Sequence, residues 1–176
     1  MRIRLSAAVL ALVFGAAIAV AQQGPPKPGP ETKKLDAFAG KWSGEADMKP
    51  GPWGPGGKMT NTDDCSWFEG GFQLVCNSAG SGAMGSTKGQ GVMAWSPEEK
   101  VYKYMGYDSM GMMVSATGTN TGNTWNWKST EKMGGKTMHS RYTITLTSPT
   151  TQSFKYETSE DGKTWSTMAE GKSSKK

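Results

Sequence analysis

Hydrophobic positions recur at every second residue along most of this chain, in short runs rich in Thr, Tyr, Trp and Val that Gly, Asn, Asp and Pro interrupt. In the clearest run, 137–147, Met138, Ser140, Tyr142, Ile144 and Leu146 share one face, while His139, Arg141, Thr143, Thr145 and Thr147 share the other. Side chains alternate across a strand, so this period of two predicts a half-buried strand whose first set faces inward. The same reasoning places strands near 41–48, 58–68, 72–79, 87–95, 100–107, 112–119, 123–130, 137–147, 151–158 and 163–170. The helical period is confined to 33–38, one or two turns with Leu35 and Phe38 on one side.

The links between these runs are short and carry turn chemistry: Ser96-Pro97-Glu98-Glu99, Asp108-Ser109-Met110-Gly111, Asn120-Thr121-Gly122-Asn123 and Ser159-Glu160-Asp161-Gly162. Tight links between successive strands predict an up-and-down antiparallel meander. About ten strands with one helical turn to cover them would leave open edges, and closure removes those edges. The expected fold is therefore all-β, a single antiparallel up-and-down barrel with a short N-terminal helical turn. A turn at 159–162 sets Tyr156 opposite Trp165 and Phe154 opposite Thr167 in the last hairpin. The 24 glycines are about twice the usual share, and those within strands, Gly89, Gly91 and Gly106, suit the bends of a small barrel.

Cys65 and Cys76, the two cysteines of the chain, flank Glu69-Gly70-Gly71-Phe72 symmetrically. In a hairpin, residues whose numbers sum to 141 face each other, so Cys65 meets Cys76 and Trp67 meets Leu74. This predicts a cross-strand disulfide, which persists outside the reducing cytoplasm. A strict two-residue Gly70-Gly71 turn would put the cysteines at a hydrogen-bonded pair, where strands stand further apart than disulfides prefer; a longer or bulged turn would change that. Export has separate support at the N-terminus. Arg2 and Arg4 precede an apolar run, 7–20, that ends in Ala19-Val20-Ala21, the pattern of a signal peptide cut between Ala21 and Gln22.

The expected organisation is a signal peptide at 1–21, a Pro/Gly-rich linker at 22–32, a barrel at 33–171 and a disordered basic tail at 172–176. The mature chain, periplasmic or secreted, then has no integral membrane segment, since the apolar run is shorter than a spanning helix. An outer-membrane barrel is disfavoured by the Thr- and Lys-rich outer faces and by the Gly-Lys-Ser-Ser-Lys-Lys end. Net charge falls from +5 to +3 on cleavage, much of it in that end, and no basic stripe with interleaved aromatics points to nucleic acid.

The helical turn followed by Gly40-Lys41-Trp42 at the mouth of the first strand resembles the lipocalin-like calycins, whose Gly-x-Trp motif places a tryptophan across the closed end of the barrel. The run from Leu35 to Gly44, the Cys65–Cys76 hairpin, and Tyr102 to Tyr107 followed by Asp108-Ser109 resemble the bacterial family labelled domain of unknown function 1579. The resemblance spans about 33–172 and implies a lipocalin-like barrel without an established activity. Two departures bear on ligands. The C-terminal Arg-x-Tyr pattern that fatty-acid-binding relatives use for a carboxylate is absent, because Arg141 and Tyr142 are adjacent. Haem-binding relatives ligate iron through a histidine, and His139 falls on the outward face.

Candidate chemistry is sparse. One histidine and two oxidised cysteines leave few nucleophile–base or zinc arrangements, so no enzyme activity, cofactor or metal is expected. The carboxylate pairs Asp63-Asp64 and Glu45 with Asp47 read as solvated strand charges. Methionine is abundant, at 12. Met110, Met112 and Met113, with Met133 and Met138 near His139, suggest Cu(I) as a lesser alternative, although thioethers also fill irregular barrel interiors. Trp42, Trp67, Trp95, Trp125, Trp127 and Trp165 read as core or pocket wall, whereas Trp53 lies in a Pro/Gly-rich mouth loop, 49–57. The expected partner is a small, mainly apolar molecule held by Trp42, Trp53, Trp67, Tyr104, Trp125, Trp127, Tyr142 and Tyr156. The alternative is a solid barrel that docks a protein partner.

Overall fold

The structure, a computed structural model, describes residues 26–51, 54–83, 85–133 and 135–176. The expected signal peptide with its cleavage site, the start of the linker, and Trp53 lie outside the described residues. A short helix, α1 (Pro30–Lys33), runs into a 3-10 turn (Lys34–Ala37). Ten strands follow: β1 (Gly40–Met48), β2 (Gly57–Trp67), β3 (Gln73–Gly82), β4 (Gly85–Ser96), β5 (Val101–Asp108), β6 (Met113–Thr121), β7 (Thr124–Met133), β8 (Lys136–Ser148), β9 (Thr151–Ser159) and β10 (Ser166–Lys175). Each pairs antiparallel with its sequence neighbours, and β1 also pairs with β10, so the sheet closes as the strand pattern predicts. No helix among the described residues is long and apolar enough to cross a membrane.

Helix and 3-10 turn plug one end of the barrel. The sequence dictates this locally: Pro30 starts the helix with φ already set, and Thr32, Leu35 and Phe38 fall on one side and are buried. Phe38 meets Trp125 edge-on, with ring centroids 4.9 Å apart. Three strands then clamp the plug through aromatic hydrogen bonds. Trp42 Nε1 donates to the Phe38 carbonyl at 2.9 Å, Trp67 Nε1 to Asp36 Oδ1 at 2.7 Å, and the Tyr102 hydroxyl to the Glu31 carboxylate at 2.9 Å. Burial, with the Glu31 carboxylate beside it, pushes the Tyr102 phenol far up, so it remains a donor. Above the plug lies an aromatic layer in which Tyr102 packs against Trp95 and Trp125, and Trp125 stacks on Trp127.

The Cys65–Cys76 hairpin has the predicted register, Cys65 opposite Cys76 and Trp67 opposite Leu74, and the disulfide is formed. Its turn is longer than two residues. The Phe68 N–H donates to the Gln73 carbonyl at 2.8 Å, closing a loop of Glu69, Gly70, Gly71 and Phe72. Bonded pairs alternate along an antiparallel ladder, so 68/73 makes 65/76 a non-hydrogen-bonded pair, the closer kind, with Cα atoms 4.0 Å apart. The longer loop removes the geometric conflict of a two-residue turn.

The C-terminal end departs from expectation. The last hairpin loop spans 160–165, because Asp161 Oδ1 accepts from the Lys163 and Thr164 N–H groups at 2.8 and 2.7 Å and rounds the chain into a wider turn. Tyr156 therefore faces Ala169 and Phe154 faces Gly171, in place of Trp165 and Thr167. Trp165 is left outside the core, under the Arg141 guanidinium at 4.3 Å. Residues 172–175, expected as a disordered tail, are barrel strand, 172–174 paired on both sides and Lys175 opposite Trp42. At the other end of the domain, residues 30–32 are helical instead of linker.

Candidate functional site

Inward residues of β1 to β9 line a cavity of about 440 Å³ that runs from Phe38 and Trp42 at the plugged end toward Met112 and Glu131 near the opposite rim. This lies within the range of small-molecule sites. Its lower wall is apolar, with Trp127, Met93, Ala116 and Ile144, and Tyr104, Tyr142 and Tyr156 form a phenolic belt.

Glycines keep this space hollow. A Cβ at Gly91 would stand 2.6 Å from Tyr104 Cε2, and one at Gly106 would collide with the Tyr104 hydroxyl. Gly118, paired with Trp127, would likewise place a Cβ 2.5 Å from that indole. Tyr104 and Trp127 thus lie flat against bare backbone, and the rings line the wall without filling the lumen.

Hydrogen-bonded polar groups interrupt the apolar lining on well-separated strands. Asp63 accepts from Asn61 Nδ2 at 2.9 Å and from Ser78 Oγ at 2.5 Å, and Ser140 Oγ pairs with the Tyr156 hydroxyl at 3.0 Å. Burial, reinforced by the Asp63 charge, pushes the Tyr104 and Tyr142 phenols up. Tyr156 is raised mainly by burial, with Glu131 adding in the same direction. The belt is therefore neutral and offers hydroxyl donors throughout the physiological range.

Of the expected ligand-contacting residues, Trp42, Tyr104, Trp127, Tyr142 and Tyr156 line this cavity. Two do not. Trp125 is 1% exposed beneath the cavity, sealed by Phe38 and Tyr102, and Trp67 is held at the plugged end by Asp36. The disulfide sulfurs belong to residues of the wall, which the hairpin alone did not indicate.

The carboxylate pairs need correction. Asp63 and Asp64 point opposite ways: Asp64 pairs with Lys41 outside at 3.5 Å, whereas Asp63 lines the cavity and is no solvated strand charge. Asp47 stays outside, bound to Lys58 at 2.8 Å. Alternation from Cys65 would have found Asp63 and Asn61, and alternation from Cys76 would have found Ser78. The same step from Trp127 reaches Ser129 and Glu131.

His139 faces outward, with Nδ1 3.1 Å from Thr130 Oγ1, while buried Met138 sits on the opposite row, so the strand separates thioether from imidazole. Met93 lines the cavity and Met112 borders it at the rim, partly in solvent, whereas Met105, Met110 and Met113 are exposed. Among the described residues no group of three or more His, Cys, Asp or Glu side chains is arranged to hold a metal ion.

Solved structures that share this architecture include the following two. Rv2717c from M. tuberculosis superposes with a TM-score of 0.58 at 12% identity, covering 84% of this chain and 98% of that one. The S-type phycobiliprotein lyase CPES from Guillardia theta gives 0.52 at 12% identity, covering 80% and 88%. At such identities the likeness concerns the fold. No curated protein matches the chain in sequence. Residues 27–175, nearly the whole barrel with its helical plug, match one family over their full length, and the chain belongs to it: the family described as protein of unknown function (DUF1579).

Proposed function

We propose that this protein is an exported barrel that binds a small, mainly apolar molecule without catalysis. The observation behind the reading is the cavity of about 440 Å³ with an apolar floor and a phenolic belt, held open by glycines beneath Tyr104 and Trp127. A barrel built to be solid would place side chains at Gly91, Gly106 and Gly118. Export is consistent with the disulfide and with the N-terminal charge and hydropathy pattern. Native mass spectrometry of protein purified from its producing cell tests the reading. The expected result is a mass increment of a few hundred daltons, released on denaturation, or one-to-one uptake of an apolar probe. Absence of both would overturn it.

A protein-docking role draws on a different observation, the outward row Met105, Tyr107 and Met113 on β5 and β6, which is largely exposed. Charged substitution at Met105 and Met113 separates the two readings. It leaves ligand uptake intact under the first and abolishes partner capture under the second.

A further inference from the structure

Resting on the reading of the cavity as the ligand site, the charge within it specifies the ligand further. Asp63 lies on the inward row of β2, level with Trp42 on β1 and Ser78 on β3. Each of its oxygens accepts one hydrogen bond, from Asn61 and from Ser78, and a carboxylate oxygen accommodates two. Asn61 and Ser78 orient the group, and capacity is left over on both oxygens. Glu131 adds a second carboxylate nearer the rim.

No inward-facing cation balances them among the described lining residues. Lys128 borders the cavity only from the exposed outward row, between inward Trp127 and Ser129. Gln152 supplies an independent sign of the same imbalance. Gln152 borders the same cavity, and its Oε1, out of reach of solvent, has no hydrogen-bond partner among the described residues. A buried acceptor without a donor costs free energy until something supplies one. The cavity thus carries unbalanced negative charge beside aromatic faces that attract cations.

We propose that the cavity takes a small amine: a molecule with an aromatic or other apolar body against Trp127, Met93 and Ile144, and a protonated nitrogen donating to Asp63. An anionic amphiphile would meet like charge at Asp63 and Glu131 with no inward-facing cation among the described lining residues to balance it. A neutral apolar molecule would leave the Asp63 charge facing it without a cation.

The test uses the full mature chain at pH 7 and three matched probes, 2-(2-naphthyl)ethylamine, 2-(2-naphthyl)ethanol and 2-naphthylacetate, titrated by calorimetry. The expected order is amine, alcohol, carboxylate, with the amine favoured over the alcohol by about tenfold or more, as a charge-assisted hydrogen bond supplies. In Asp63→Asn the preference for amine should fall to within about twofold while the affinity for the alcohol is kept. Equal binding of amine and alcohol by the unaltered protein overturns the amine proposal and leaves the cavity reading standing. A preference that survives Asp63→Asn, or one that Glu131→Gln alone abolishes, overturns the assignment to Asp63. Failure of all three probes to bind overturns both. The probe order in the unaltered protein needs no variant, so the proposal is open to refutation even if Asp63→Asn does not fold.

Discussion

Reducing the Cys65–Cys76 bond removes a cross-link between residues 11 apart in sequence, and the loss of stability follows from that loop. Closing a segment of this length restricts the unfolded chain by about 3 kcal/mol at 25 °C. For a domain of this size that corresponds to a fall of roughly 6–12 °C in melting temperature. The fold itself should survive, because the β2–β3 register runs on through Thr60 opposite Ser81, well beyond the cysteines. Both cysteines are buried in the wall, so reduction requires opening the barrel, and the reduced form is best made by refolding in reductant. Urea denaturation of the oxidised and reduced forms measures the difference. The reduced form should unfold at lower urea, with a slope at least as steep, since its unfolded state is less restricted. An unchanged midpoint, with both thiols titrated as free, would refute the reasoning.

Other expectations concern the wall, the outer surface and the plug. Gly91→Ala should turn the Tyr104 ring into the lumen, cost about 1–3 kcal/mol and weaken binding of a naphthyl probe; an unaltered affinity in a folded variant would contradict the role given to the glycines. Arg141, with Lys155 assisting, holds the Glu157 carboxyl down from its ordinary 4.5 to about 2. A depressed carboxylate stabilises the fold above its unfolded value, and that contribution is lost as pH falls from about 4.5 toward 2. Glu157→Gln should therefore be less stable at neutral pH and lose less on acidification, as read by urea midpoints across pH. Tyr102→Phe removes the donor to Glu31 and should cost about 1–2 kcal/mol, speeding amide exchange in Pro30–Ala37 before the strands.

Local alternation revealed most of the barrel. The run 137–147 sorts its inward and outward rows by sequence alone, and the symmetric cysteines set the β2–β3 register because a hairpin is a local object. Two features resisted for physical reasons. β10 is rich in Ser, Lys and Gly and looks like a solvated end; it is a strand because β1 and β9 offer unpaired edges on both sides, and that information lies far away in sequence. Charge alone misled at Asp63, where two adjacent aspartates suggest solvent. Alternation sends them to opposite faces, and Asp63 is the one that turns into the cavity. Glycines neighbouring aromatics, Gly91 and Gly106 beside Tyr104 and Gly118 opposite Trp127, are visible in the sequence once the register is known, but hollow and solid barrels share the same period of two. Deciding between them required the ring positions of Tyr104 and Trp127.

The central claim, that the lumen is the binding site, is tested most directly by NMR titration of the folded chain with 2-(2-naphthyl)ethylamine. The account predicts one-to-one saturation, with shifts at the Trp127 indole and the Ala116, Ile144 and Met93 methyls and none at the outward Met105 and Met113 methyls. Shifts confined to Met105 and Met113, or no saturable change at the lumen, would contradict it.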